Sequence, residues 1–338
     1  MTLQIDLSAV VANWRALAAL APAARTGAVV KADAYGLGVA AVVPALAAAG
    51  VRDFFTFTAG EGQQVRPLAG AEARVFVMEG HVPGAPLDGL IPCLVSAEQF
   101  FRHRTTRPRG PFAVQLDSGM NRLGIRAGDW AALRGEVLAA GPVLLMSHLA
   151  SADEPDSPQN ARQLGQFTSM TEGAGVPRSL SATGGILRGR EWHFDLTRPG
   201  IGLYGGLPFA EAQPVVRLSL PVMQIHHLPP GESVGYGASW TTARPSRIAT
   251  LSGGYADGIM RRLGAAGLKL WAGDRACPVV GRISMDTMAV DVTDLPEVPP
   301  SLDLIGPRQD IEAVARLAGT IGYEVLTSLG QRWPRSYA

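Results

Sequence analysis

Over its first two hundred residues the chain alternates short apolar runs with longer segments whose apolar positions recur every three or four residues. The runs are Gly27 to Val30, Asp53 to Phe57, Arg74 to Met78, Leu90 to Val95, Phe112 to Leu116, Val143 to Ser147, Arg178 to Ser181 and Asp195 to Arg198. Most lack the strict polar alternation of a strand with one wet face, so they read as strands buried on both sides. Between them lie helical patterns at Val39 to Ala49, Glu61 to Leu68, Ala97 to His103, Asp129 to Ala140 and Pro158 to Glu172, preceded by a helix from Ala9 to Leu20 with Ser8 as its cap. Ser96 with Gln99 three residues on carries a capping-box signature, and Ser157-Pro158 is an N-cap followed by proline at the first helical position. Eight strand and helix units in about 200 residues predict a parallel (β/α)8 TIM-type barrel, an α/β fold.

Beyond about Pro214 the pattern changes to short strands broken by Pro, Gly and Asp turns: Val215 to Ile225, Ser233 to Ser239, Arg247 to Leu251, Leu268 to Trp271, Cys277 to Val280, Met288 to Val292 and Leu302 to Ile305. Ile311 to Ala318 is the one long helical pattern there. This predicts a barrel domain over residues 1–211 and a C-terminal, mainly-β domain over residues 212–338. Leu3 to Leu7 adds a short alternating strand at the start.

Composition narrows the function classes. With 47% hydrophobic and 17% charged residues and a net charge of +1, the chain offers no general basic field for nucleic acid. Its one basic run, Arg102, Arg104, Arg107 and Arg109, reads as a solvated loop. No apolar stretch reaches the ~20 residues of a membrane span. Cys93 and Cys277 form no paired pattern and no basic-then-apolar leader is visible, so a cytoplasmic location is expected. The six histidines show no ligand spacing, and no metal site is expected.

Candidate chemistry gathers at strand ends, where parallel barrels carry their active sites. Of thirty basic residues only Lys31 and Lys269 are lysines, and Lys31 ends the first predicted barrel strand, before a polar, Gly-rich turn. Arginine does not deprotonate in practice, whereas a lysine amine can act as a nucleophile and form a Schiff base. A plain exposed lysine at a strand end is the alternative. Arg122, after the fifth strand, is either a fork for a carboxylate or a structural salt-bridge partner. His148 ends the sixth strand. Arg198-Pro199-Gly200-Ile201-Gly202 follows the eighth, where glycines let backbone amides approach an anion, and Ser181 adds a hydroxyl from the seventh. Gly235-Tyr236-Gly237 frees a tyrosine from its neighbours' side chains.

Taken together, Val29-Val30-Lys31-Ala32-Asp33-Ala34-Tyr35-Gly36, Asp117 to Gly124, His148 to Glu154, Arg198 to Gly205, Gly235-Tyr236-Gly237, Gly281 to Asp286 and Thr320 to Leu329 with Arg332 to Arg335 resemble the alanine racemase family of fold-type III, pyridoxal phosphate (PLP) enzymes. The resemblance implies a PLP barrel, a β domain that takes in the first strand (residues 1–7), a small amino-acid substrate, and a head-to-tail homodimer whose active sites are completed by the partner. It implies Lys31 as the covalent PLP anchor and first base, with Tyr236 of the partner subunit as the second. Tyr35, Ser181, the Gly200 and Ile201 amides and Tyr323 would hold the phosphate. Arg198 would face the pyridine nitrogen, and His148 would lie between Tyr236 and Arg198. Arg122 and Met285 would meet substrate, with Tyr255, Arg261, Arg282, Asp286 and Asp153 along its approach. Gln115 stands where many members have a lysine that orients the carboxylate-binding arginine. Racemisation of alanine, supplying D-alanine for peptidoglycan, is the expected function. A serine or broad-spectrum racemase and a non-catalytic PLP-homeostasis carrier are the alternatives.

Overall fold

A computed structural model describes residues 2–338. The chain forms two compact units, one of residues up to Leu7, 205–207 and 214–338, the other of residues 8–204 and 208–213. It begins with strand β1 (Thr2–Ile5) and the helix Leu7–Leu20. Barrel strands follow as β2 (Arg25–Thr26), β3 (Ala28–Val29), β4 (Asp53–Thr56), β5 (Arg74–Val77), β6 (Ile91–Leu94), β7 (Ala113–Gln115), β8 (Leu145–Met146), β9 (Arg178–Ser179) and β10 (Leu196–Thr197). Strands β3 to β9 pair in sequence order, all parallel.

The eighth position closes the ring. Asp195 and Arg198 N–H donate to the Arg178 and Ser181 carbonyls at 3.0 and 2.8 Å, and Gly27 and Val29 N–H donate to the Thr197 and Pro199 carbonyls, both at 2.9 Å. β10 also pairs with β2. All eight predicted strands are present, each shorter than the apolar run that encodes it, because residues at the ends of a buried run leave the ladder while staying apolar. Outside the strands, Phe100, Trp130, Val137 and Phe167 from three helices pack on Val114, Leu145 and Leu180 in one core. Trp130 satisfies its indole N–H on the Met170 carbonyl at 2.8 Å, which allows so large a ring to be buried there.

Several helix ends differ from expectation. The first helix begins at Leu7, so Ser8 sits inside its first turn. Ser96 Oγ accepts the Gln99 N–H at 3.2 Å, but the Gln99 side chain turns away to Val95 N–H, His81 N–H and the Glu79 carbonyl, leaving half a capping box. Ser157 occupies the N-cap position before Pro158 without a side-chain cap bond. A full capping box lies instead at Thr58 and Glu61, ahead of the helix Ala59–Val65.

The second unit is built from β1 with β11 (Val216–Leu228), β12 (Ser233–Val234), β13 (Trp240–Thr241), β14 (Ser246–Ser252), β15 (Lys269–Ala272), β16 (Arg275–Val280), β17 (Thr287–Asp291), β18 (Ser301–Ile305) and β19 (Arg335–Tyr337). The sheet runs β14-β17-β16-β15-β18-β11-β1-β19, and β14 also pairs with β11, so six strands form a closed ring. The thirteen residues of β11 make this possible: its first half pairs with β18 and β1, and its second half with β14 across an irregularity between Val222 and Gln224. β1 buries Leu3 and Ile5 and exposes Gln4, as its alternation requires. The strand expected over Ser233 to Ser239 stops at Val234, because Gly235 at φ 75° turns the chain into a 3-10 turn over Tyr236–Ala238. The helix Gly322–Ser328 and strand β19 were not foreseen from the residue pattern. Among the described residues no helix is long and apolar enough to cross a membrane.

Phe167 is fully buried and Phe101 is 46% exposed, on helices of the same unit. Phe167→Ala is expected to cost about 3–5 kcal/mol, and Phe101→Ala no more than about 0.5 kcal/mol. Urea unfolding of both variants checks this, and equal losses would contradict the core described above.

Candidate active site

The chain leaves β3 through a backbone conformation that L-residues rarely adopt. Ala32, Asp33 and Ala34 have φ of 51°, 54° and 53° with ψ of 48°, 49° and 50°, and Tyr35 follows at φ 58°. Four consecutive non-glycine residues thus make a left-handed helical turn, at a cost of about 1–2 kcal/mol per residue. The turn carries its own bonds, from Ala34 N–H to the Val30 carbonyl at 3.0 Å and from Gly36 N–H to the Ala32 carbonyl at 2.7 Å. Asp33 Oδ1 accepts the Val39 N–H at 2.8 Å and starts the next helix. Ala34 and Tyr35, the last two residues of the turn, are buried. Lys31, half-buried, stands at the head of this turn. Its amine is shifted below the ordinary lysine value, first by burial and then by the Arg122 cation, with Glu61 acting in the opposite direction.

Arg122 rises from the loop after β7. Asp117 Oδ1 accepts the N–H groups of Gly119, Met120 and Asn121 at 2.9, 3.0 and 3.1 Å, and Asn121 takes φ 56°. The Arg122 guanidinium is exposed and meets no carboxylate among the described residues, so the structural salt-bridge reading falls away. Gln115 does not reach Arg122; its Nε2 donates to the Leu123 carbonyl at 3.1 Å. Loop and strand end are joined from behind by the buried Gln163, which donates to Ser118 Oγ and to the His148 carbonyl and accepts the Ala150 N–H.

His148 follows β8 and is pushed down to about 3, chiefly by burial and then by the cations of Arg198, Arg122 and Lys31. It is a neutral imidazole at pH 7. Arg198 is buried after β10, where it donates to the Ser147 carbonyl at 2.6 Å, the Leu180 carbonyl at 3.3 Å and Ser179 Oγ. Burial brings it to about 10, which still leaves it a cation at neutral pH. Lys31, Arg122, Arg198 and His148 are therefore electrostatically coupled, and the barrel mouth is a cationic site suited to a small polyanion.

The hydroxyl at the glycine-rich turn is not the one expected. Ser181 is fully buried and donates to the Trp192 carbonyl at 2.7 Å, so its single proton is engaged. Thr183, at the start of the short helix Thr183–Ile186, accepts the Gly200 and Gly202 N–H groups at 3.2 and 3.3 Å, and its own proton donates to nothing among the described residues. The Ile201 N–H likewise meets no acceptor there. A Cβ at Gly200 would lie 2.5 Å from Tyr35 Oη, and one at Gly202 2.7 Å from Thr183 Cγ2, so only glycines leave this cradle open. Reading Ser181 by its strand end missed Thr183; the signal available was a hydroxyl directly ahead of Gly184-Gly185, where a helix could start.

The remaining predicted residues lie in the β unit. Tyr236, on a hairpin tip between Gly235 and Gly237, is 71% exposed. Met285 and Tyr255 are exposed, and their loops are locked together through Tyr255 N–H to the Ser284 carbonyl and Ala256 N–H to the Met285 carbonyl, both at 3.0 Å. Asp286 pairs with Arg332 at 2.8 Å. Arg261 begins a 3-10 turn, and the Arg282 guanidinium packs beside Gly237. Tyr323 lies half-buried in the helix Gly322–Ser328. Asp153 belongs to the barrel unit and packs against Gly184.

A parallel barrel with a lysine and an anion cradle at its mouth, followed by a closed β unit, defines the class of fold-type III PLP proteins with a β domain. Comparison with known proteins makes this specific. The profile of the alanine racemase N-terminal domain matches residues 5–208, and that of the C-terminal domain residues 215–337. Alanine racemase of Cereibacter sphaeroides is 56% identical over 341 residues, covering 99% of this chain and 97% of the relative, and that of Dinoroseobacter shibae is 54% identical, covering 100% and 98%. The crystal structure of alanine racemase from Bartonella henselae with covalently bound pyridoxal phosphate superposes with a TM-score of 0.95 at 34% identity, over 100% of this chain and 99% of that one. Biosynthetic alanine racemase from Pseudomonas aeruginosa gives 0.92 at 35% identity, over 100% and 99%. The chain belongs to the alanine racemase family of PLP-dependent isomerases. The residues present fit that cofactor: the unengaged Ile201 amide, the free Thr183 proton and the glycine cradle suit a phosphate, and Lys31 suits an aldehyde.

Two expectations follow. Between about pH 3 and 6.5 the unfolded chain binds a proton at His148 that the folded chain refuses, so stability is full above about pH 6.5 and falls as pH drops through that window. His81 and His103, both shifted down by burial, act in the same direction. Urea midpoints should therefore be lower at about pH 5 than at about pH 7.5, with a shallower fall in His148→Asn. Separately, Thr183→Val should weaken PLP retention by about tenfold, the worth of one hydrogen bond to a charged group, and Ser181→Ala should leave it within about twofold. Equilibrium dialysis with the full chain checks both.

Proposed function

We propose that the chain interconverts L- and D-alanine as a cytoplasmic head-to-tail homodimer supplying D-alanine for peptidoglycan, with Lys31 and Tyr236 of the partner subunit as its two bases. The observation that carries this reading is Lys31, presented at a strand end by a left-handed turn and shifted toward its neutral form among Arg122, Arg198 and a neutral His148.

Racemisation takes a proton from Cα on one face and returns one on the other, so two bases on opposite faces are the direct solution. PLP, when bound, supplies an electron-withdrawing ring that makes the Cα proton removable. Lys31 would hold the cofactor through its amine, and that amine, when not so engaged, would be the base on one face. Tyr236 is exposed on its own chain and flanked by glycines, which suits a phenol offered to a second chain. Arg122 receives the substrate carboxylate as a fork-shaped donor. Arg198, a buried guanidinium that keeps its proton, would be the partner of the ring nitrogen and would disfavour side reactions such as transamination. Thr183, Tyr35 and the Ile201 amide would hold the phosphate. Gln115 contacts Leu123 and not Arg122, so it does not set the Arg122 position.

L-alanine in deuterated water should yield Cα-deuterated D-alanine. Tyr236→Phe should slow this by about 10²–10⁴-fold with PLP still attached, and Lys31→Ala should abolish covalent attachment. Neither exchange nor product would mark a PLP carrier, and release of an amine a decarboxylase. A panel of L-amino acids, serine included, assayed for D-product sets the substrate breadth.

A further inference from the structure

Glu61 serves two structures at once. Its Oε2 accepts the N–H groups of Phe57 and Thr58 at 2.8 and 3.2 Å, and Thr58 Oγ1 returns the favour by accepting the Glu61 N–H at 3.1 Å, which closes the capping box of the helix Ala59–Val65. That role needs one carboxylate oxygen. The other, Oε1, reaches across from the β4 loop to the β3 loop and accepts the N–H of Ala32 at 2.8 Å. Ala32 is the residue after Lys31 and the first of the four left-handed residues. A helix cap does not require this second bond. An N–H at the head of a left-handed turn, by contrast, points away from its own strand, and without an outside acceptor the strained backbone has one reason fewer to persist. Both oxygens are thus filled by three backbone donors, which fixes the carboxylate beside Lys31 as well as the turn.

Resting on the reading of Lys31 as the PLP anchor, we infer that Glu61 is a positioning residue: through the Ala32 amide it holds the left-handed turn that aims the Lys31 amine into the barrel mouth. It acts through the backbone and through its charge and touches no reacting atom. Its charge is one of those acting on the Lys31 amine, opposing burial and Arg122. Glutamine has the same shape but turns an N–H₂ group toward donors at one end or the other, so Glu61→Gln loses the charge and one side of the arrangement. Aspartate keeps the charge but is one methylene shorter, and cannot cap Phe57 and Thr58 while also reaching Ala32.

The test follows the pH dependence of the rate at which added pyridoxal phosphate attaches to the full chain, read by visible absorbance and located by borohydride reduction and mass spectrometry of the Lys31 peptide. In Glu61→Gln attachment should slow by at least about tenfold, with the midpoint of the rate profile moved to lower pH. Glu61→Asp should slow attachment while leaving the midpoint near that of the parent. Thr58→Ala, which removes the cap bond alone, should lower the unfolding midpoint and leave both rate and pH profile unchanged. If Glu61→Gln merely tracks Thr58→Ala, or attaches PLP at the parental rate and midpoint, the inference is overturned. Should Glu61→Gln not fold, Glu61→Asp decides, and a parental rate there overturns it equally. Attachment of PLP to Lys31→Ala, or to another peptide of the parent chain, sinks the reading of Lys31 itself and is told apart by the mass of the labelled peptide.

Discussion

One segment of backbone constrains the rest of the barrel mouth. Four residues after Lys31 sit in the left-handed region with no glycine among them, and of Ala-Asp-Ala-Tyr only Asp has any local tolerance for that state. The surroundings must supply it. The Val30 N–H is fixed on the Phe55 carbonyl, Asp33 is tied to the following helix, Tyr35 is buried with its ring 4.8 Å from that of Tyr204, and Ala32 is tied to Glu61. Tyr204 is itself anchored on the Val29 carbonyl at 2.9 Å. The strain is therefore distributed over β3, β4 and the turn after β10, and the position of the lysine is a property of the closed ring.

The electrostatics of the mouth follow from what the barrel leaves out. Arg198 is satisfied by two carbonyls and a hydroxyl, and no acidic side chain forms an ion pair with it or with Arg122 among the described residues. Burying a guanidinium in this way keeps its full charge available to whatever enters, since no carboxylate has already neutralised it. Burial, reinforced by the same field, strips His148 of its proton. A site of this kind selects for a substrate and cofactor that bring their own negative charge, through carboxylate and phosphate.

Much of this was legible in the residue pattern, and the parts that were not share a cause. Eight buried strands announced themselves as apolar runs between turns, because a parallel strand covered on both faces has no polar phase to blur. Lys31, Arg122, His148 and Arg198 were marked by standing at the ends of such runs. The left-handed turn was not readable, since its geometry is imposed from other strands. Ser181 was preferred to Thr183 for its strand-end position, yet a hydroxyl one residue after a strand can be consumed by a distant carbonyl, here that of Trp192. The strand expected through Tyr236 failed because glycines on both sides permit a turn that aromatic residues in a strand context disguise. β19 went unseen because three residues next to a proline carry almost no signal, and its partner, β1, lies at the opposite end of the chain.

The scarcity of lysine acquires a further meaning once both are located. Lys269 is exposed on β15, whereas Lys31 is half-sheltered at the barrel mouth. An aldehyde that drifts along this surface finds arginines almost everywhere, and guanidinium does not readily condense with it. Few side chains can sequester the vitamin-derived aldehyde before it reaches its seat. The protein thus presents a coat that is chemically quiet toward its own cofactor.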